Sequence, residues 1–185
     1  MKNLMDYIKI DFEKETDVPL SEFTEKEIEI LHRLIEICQE AKDTGNNPFG
    51  CLLADENGNI LLEQGNAEGD HNGDCTAHAE TELMRRASMK YSKEELSHCT
   101  MYTSNEPCAM CSGAIYWGGL NGVVYIGSET TLKEYTGDDP RNPTLALPCR
   151  AVFATGQKKI RVRGPVLALE PTLMKLHEGF WKPSH

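Results

Sequence analysis

Two hydrophobic periods alternate along this chain. From Thr24 to Asp43 the apolar residues Ile28, Leu31, Leu34, Ile35 and Cys38 recur three or four apart, the spacing of one helix face. Thr24 and Glu27 form a capping box at its start, and Gly45 can end it. Phe49 to Ala54 and Ile60 to Gly65 read as the strands of a hairpin that turns at Asn57-Gly58. Asn66 to Cys75 is a polar, glycine-bearing loop leading into a helix on which Ala79, Leu83 and Ala87 recur every four residues, with Thr76 as its N-cap. Thr100 to Ser104 is a short strand before a second such helix, opened by Pro107 at its first position, with Ala114 and Ile115 facing inward. Val123 to Gly127 is the next strand, and Gly137 to Arg150, with three prolines and an acidic pair, is a loop or broken helix. Ile160 to Leu167 makes a fifth strand, and Glu170 to Phe180 a last helix with Pro171 near its start. Strands alternating with helices predict a layered α/β domain over residues 24–185, preceded by an N-terminal extension, residues 1–23, that is loose or partly helical over residues 1–20.

Length and charge narrow the function. A chain of 185 residues can bury one sizeable core, and no composition shift demands a second domain. No apolar run approaches the roughly 20 residues of a membrane span. The start Met1-Lys2-Asn3-Leu4-Met5-Asp6 lacks the regions of a secretory signal, which points to the cytoplasm. Seven scattered cysteines show no disulfide spacing, and Cys38 and Cys51 read as small core residues. A formal net charge of −10 repels a polyanion, so a small-molecule substrate is expected over nucleic acid. The cluster Lys158, Lys159, Arg161 and Arg163 dissents, but the alternation in Lys159-Ile160-Arg161-Val162-Arg163 reads as the solvent side of a strand.

His78, Cys108 and Cys111 then change the picture. One imidazole and two thiols are three ligands for Zn²⁺, leaving the fourth tetrahedral position of a catalytic site open to water, one ion per chain. Such an ion lowers the pKa of water to roughly 7. Glu80 remains as a carboxylate able to carry a proton from that water to a ring nitrogen and then to a departing amine. The two-residue gap between the cysteines suits one helical turn, whose N-terminus favours thiolates. His78 and Glu80, about 200° apart on a helix, cannot share a face and must act near the helix start from different sides. Two rival readings are a redox Cys108–Cys111 pair, which has no use for His78 or Glu80, and a structural zinc completed by Cys75, Cys99, His71 or His98.

Pro48-Phe49-Gly50, Gly65-Asn66, Thr76-Ala77-His78-Ala79-Glu80 and Tyr102-Thr103-Ser104-Asn105-Glu106-Pro107-Cys108 resemble successive blocks of the cytidine deaminase superfamily, whose zinc enzymes carry the same H-x-E and P-C-x-x-C signature. The similarity is greatest to the branch holding guanine deaminases, fungal-type cytosine deaminases and tRNA adenosine deaminases. It implies a three-layer α/β/α sandwich with a five-stranded mixed sheet in the order 2-1-3-4-5, and frequent homodimers. It further implies that Asn66 hydrogen-bonds the base or its sugar, that the Ala79 and Cys108 N–H groups hold the substrate carbonyl and the oxygen on the metal, and that the Glu106 carbonyl receives the leaving amine. Phe49 and Ile115-Tyr116-Trp117 resemble guanine deaminases, whereas Val162 to Leu167 resembles tRNA adenosine deaminases. The expected reaction is hydrolytic deamination of a free nucleobase or nucleoside, a purine ahead of a pyrimidine. Its alternatives are a tRNA adenosine or cytosine/cytidine deaminase, or an inactive RNA-binding partner subunit with structural zinc. Trp181, with Phe180, is read either as a stacking lid over the pocket or as a pin holding the last helix to the core. Trp117 is read as pocket wall or core.

Overall fold

Alternation along the central strands builds the domain. The computed structural model describes residues 14–181; expectations for residues 1–13 and 182–185 lie outside the described residues. In β1 (Gly50–Ala54) every residue is buried, with Cys51 and Leu53 facing one hydrophobic cluster and Leu52 and Ala54 the other. β4 (Gly122–Gly127) does the same through Val123 and Tyr125 against Val124 and Ile126. Strands buried on both faces need helices on both faces. One layer is α1 (Glu25–Asp43), joined by α7 (Glu170–Met174); the other contains α2 (Ala79–Lys90), α4 (Ala109–Gly118) and α6 (Cys149–Ala154). β2 (Ile60–Gly65) and β3 (Thr100–Asn105) flank β1 antiparallel, while β3, β4 and β5 (Arg161–Arg163) run parallel, giving the order β2-β1-β3-β4-β5. This is the expected three-layer α/β/α sandwich.

The long helix forms as its sequence requires. Thr24 and Glu27 exchange both bonds of the capping box, and Leu31, Leu34 and Cys38 are fully buried. Ile28 and Ile35 sit half-buried at the edge of the stripe, and Ile30, Ile37 and Ala41 complete it. The hairpin turns as expected, with Asp55 Oδ1 accepting the Asn57 and Asn59 N–H groups.

Other expectations need correction. His78, and not Thr76, is the N-cap of α2; the Thr76 hydroxyl turns back to Asp74 Oδ1 at 2.7 Å. Cys108 is the N-cap of α4, so Pro107 precedes the helix and does not open it. α3 (Lys93–Leu96), capped by Ser92 with Glu95, was not anticipated. Neither was α5 (Glu129–Thr136), capped by Ser128, nor α6, which begins at the end of the Gly137 to Arg150 stretch expected as a loop or broken helix and runs beyond it. β5 stops at Arg163 because Gly164 takes φ +146°, a conformation that leaves the strand. α7 is shorter than expected, and turns rather than helix carry the chain from Lys175 to Phe180. The described part of the N-terminal extension, residues 14–23, is held to the domain and contains one 3-10 turn at Leu20–Glu22. Val18 N–H donates to Pro165 O at 2.9 Å, Tyr125 OH donates to Glu15 at 2.7 Å, and Phe23 is buried.

Candidate active site

The two helix starts meet at the carboxyl end of the central strand, β3. His78 and Cys108 both have extended backbones, at φ −64°, ψ 149° and φ −61°, ψ 171°, so each side chain leaves the chain just before its helix. This frees His78 from the helical rotation that separates it from Glu80. Cys111 follows inside the first turn of α4. His78 Nδ1 lies 3.8 Å from Cys108 Sγ and 3.6 Å from Cys111 Sγ, and all three donor atoms lie within 4.8 Å of one another. Zinc bonds of about 2.3 Å to sulfur and 2.0–2.1 Å to nitrogen at a tetrahedral angle place N and S about 3.6 Å apart. The donor set fits a tetrahedral zinc ion. Hydrogen bonds within the trio set its proton balance: bonds from Cys111 and His78 hold the Cys108 thiol down to about 4, while its bond to Cys108 pushes Cys111 well up. The bond to Cys108 raises His78 to about 9.

Glu80 sits beside these donors and is 8 % exposed. Thr103 Oγ1 donates to its Oε1 at 2.5 Å, and Cys111 Sγ donates to Oε2 at 3.4 Å. Burial raises the Glu80 carboxyl above its usual range, against the hydrogen bond from Thr103. A cavity of about 450 Å³ opens over this group, bounded by Phe49, Asn66, Ala79, Asn105, Glu106 and Glu129 among others. The loop at 66–75 contributes Glu68 and Cys75, and the segment after β4 contributes Leu132 and residues 140–143. Burial, then the charges of Cys108 and Glu106, raise the Glu129 carboxyl to about 7.

A profile of the cytidine and deoxycytidylate deaminase zinc-binding region matches residues 24–127, which span α1 through β4 and contain every ligand. The chain belongs to this family. It is 37 % identical over 161 residues to a probable cytosine deaminase of Schizosaccharomyces pombe, covering 87 % of this chain and 96 % of that one. It is 37 % identical over 110 residues to guanine deaminase of Bacillus subtilis, covering 59 % of this chain and 69 % of that one. Among solved structures, the guanine deaminase from Nitrosomonas europaea superposes with a TM-score of 0.67 at 19 % identity, over 94 % of this chain and 95 % of that one, and shares the fold. The protein is thus a deaminase, a zinc-dependent hydrolase acting on C–N bonds.

Within this deaminase the other singled-out residues take unequal positions. Asn66 is buried at the cavity, but its carboxamide is engaged, donating to Glu68 Oε1 at 2.8 Å and accepting Glu68 N–H at 3.1 Å. Ala79, first residue of α2, is fully buried with an N–H that has no acceptor inside the helix. Glu106 lines the cavity while its carboxylate accepts Cys149 N–H at 2.9 Å. Phe49 forms the wall, and Trp181 lies behind it, with ring centroids 6.0 Å apart. Trp181 is 5 % exposed, stacks on His177 and donates Nε1–H to His177 Nδ1 at 3.1 Å. Arg141 joins this cluster to the cavity segment, binding Asp139 and the Phe180 carbonyl. Trp117 is neither wall nor core, at 75 % exposed.

Three functional groups escaped the sequence. Thr103 lies on β3, 23 residues along the chain from the α2 carboxylate it holds, and no local pattern links the two. Glu68, 3.9 Å from His78 Nε2 and held by Asn47 and Asn66, is an acidic residue beyond the second ring nitrogen. Its only sequence signal is a carboxylate near a ligand histidine. Glu129 caps the far side from α5, a helix the pattern did not reveal. Two of the four basic residues are engaged: Arg163 pairs with Glu27 at 2.7 Å over the Phe23 ring, and Lys158 lies over Tyr116, while Lys159 and Arg161 are exposed. Among the described residues no helix is long and apolar enough to cross a membrane.

Proposed function

We propose that this deaminase hydrolyses the exocyclic amine of a free nucleobase or nucleoside: water adds, the ring C–NH₂ becomes C=O, and ammonia leaves. The observation that carries this reading is Glu80, a buried carboxyl fixed by Thr103 beside the zinc donors and open to a cavity of about 450 Å³. That volume suits a single small molecule. Zinc held by His78, Cys108 and Cys111 supplies the Lewis acidity that makes water nucleophilic near neutral pH. Glu80 takes the proton, delivers it to a ring nitrogen and then carries one to the amine, the Thr103 hydroxyl keeping the carboxylate in reach. Phe49 stacks on the ring, Asn66 and the Ala79 N–H bind its polar edge, and the Glu106 carbonyl receives the amine as it departs. Trp181 backs Phe49 and stiffens that wall.

Relatives named for cytosine and guanine bring both bases to this pocket, and Phe49 keeps the purine resemblance. With Trp117 on the surface, the remaining guanine-like cues are weaker, so both rings belong in the same test. Net charge −10 and the pairing of Arg163 with Glu27 argue for a small substrate over RNA. We also expect the chain to work in the cytoplasm as a homodimer. The experiment is an ammonia-release screen of the zinc-loaded protein against guanine, cytosine, adenine and their nucleosides. Turnover of at least one supports the reading, and silence across the panel with stoichiometric zinc bound rejects it.

A further inference from the structure

Asn105 is the last residue of β3, two positions beyond Thr103, and therefore on the sheet face that holds Glu80. It is 4 % exposed and lines the active-site cavity. Among the described residues neither its Nδ2 nor its Oδ1 has a hydrogen-bond partner. Buried carboxamides are nearly always paired, and one left without partners destabilises the fold. Of the other carboxamides at the cavity, Asn66 makes one bond at each end to Glu68 and keeps one N–H and one lone pair for substrate, while Asn142 lies on the 140–143 segment with its Nδ2 unpaired among the described residues. The chain also makes room for Asn105. A Cβ at Gly127, its neighbour across β4, would come within 2.8 Å of Nδ2 and 2.5 Å of the Met174 methyl.

We propose that the Asn105 carboxamide is a substrate-reading group that pairs with a lactam edge, a ring N–H beside a ring C=O, on the base being deaminated. The inference rests on the nucleobase reading above and narrows its substrate class. A planar carboxamide offers one acceptor and one donor side by side, the complement of a lactam. Cytosine and guanine carry such an edge; adenine does not. Because a carboxamide does not titrate, this contact is indifferent to pH, unlike the carboxylates around it. A polar site that matches the right ring is also left unpaired by the wrong one, which makes it selective.

The test compares the zinc-loaded parent with Asn105→Leu and Asn105→Asp on cytosine, guanine, adenine and the two analogues methylated on the lactam nitrogen. The parent is expected to turn over a lactam base, to prefer it about 10- to 100-fold over its N-methyl analogue, and to ignore adenine. Asn105→Leu should raise KM for the lactam base by about 10- to 100-fold, change kcat by no more than a few-fold, and leave the N-methyl analogue as slow as before. Its Tm should match or exceed the parent's, because an unpaired polar group has been replaced by an apolar one of similar size. Asn105→Asp, equal in size but lacking the donor, should show the same KM loss. A parent active on a lactam base whose KM and preference survive in both variants overturns this assignment alone, whatever happens to Tm. Adenine turned over as well as the lactam bases also overturns it. A parent silent on every base overturns the nucleobase reading together with it.

Discussion

Glu80 and His177 are both buried, and their protons pull stability and catalysis in different directions. Glu80 is buried and held by the Thr103 hydroxyl and the Cys111 thiol, the arrangement of a group that moves protons. Glu80→Gln is expected to bind stoichiometric zinc and to lose about 10²- to 10⁴-fold in ammonia release; metal analysis and turnover on one sample check both halves, and near-normal turnover would remove Glu80 from the reaction. His177 is 1 % exposed, and burial, then the Lys42 charge, lower its pKa from 6.5 to about 4. A histidine lowered in the fold keeps its stabilising contribution above the unfolded pKa and loses it as pH falls toward the folded one. The interval from 6.5 to about 4 amounts to about 3 kcal/mol. His177→Gln keeps an acceptor for Trp181 and cannot charge, so urea midpoints at pH 7, 5.5 and 4 should show the parent's advantage shrinking by about 3 kcal/mol. A constant difference across that range would show that His177 does not titrate there. His78, Glu80, Cys108 and Cys111 were legible because ligand chemistry dictates residue type and spacing together. Thr103, Glu68 and Asn105 were not, because ordinary polar residues acquire their roles only when separate elements are brought side by side.

Elements were legible wherever a cap and an apolar stripe coincide. α1 has both, and its limits were read within a residue; β1 and β4 announce themselves as short apolar runs that the fold buries on both faces. α5 and α6 fail on length, offering one or two turns in which few apolar positions repeat, with three prolines just before the second. The expected fifth strand runs longer than the real one because Val166 and Leu167 stay apolar after the strand has ended at Arg163. Gly164 is what ends it: at φ +146°, an added Cβ would sit 2.6 Å from the Tyr125 carbonyl oxygen and within 2.9 Å of its ring. The Gly164 carbonyl also accepts Arg150 Nη2 at 2.9 Å, tying the exit of β5 to α6. Gly164→Ala should therefore destabilise the protein by about 2 to 4 kcal/mol, from backbone strain plus overpacking against main chain that cannot give way. Denaturant unfolding with unchanged m-value checks it, and a cost below about 0.5 kcal/mol would mean that the β5 exit readily rearranges.

At the scale of the molecule, the zinc donors connect two helices that otherwise meet through packing and the Cys111–Glu80 hydrogen bond. α2 brings His78 and α4 brings Cys108 and Cys111, while β3 brings the threonine that holds Glu80, so one cation fixes two helix starts over the end of the central strand. The surroundings are acidic: Glu68, Glu80, Glu106 and Glu129 all border the same cavity in a chain of net charge −10. Removing a dication from such a place leaves like charges facing one another across a half-buried space. Chelation should thus lower stability as well as activity, because an ion that binds only the folded chain contributes RT ln(1 + [Zn]/Kd), about 4 kcal/mol at a thousandfold excess over Kd. For a chain of this size that corresponds to a fall in Tm of about 10 °C. Zinc added back in stoichiometric amount should restore Tm and ammonia release together in the parent. Cys108→Ser, with one ligand weakened, should begin near the chelated Tm and recover neither. If chelation ended turnover while leaving Tm in place, the donors would be pre-arranged by packing alone, and the coupling between the metal and the two helices would be wrong.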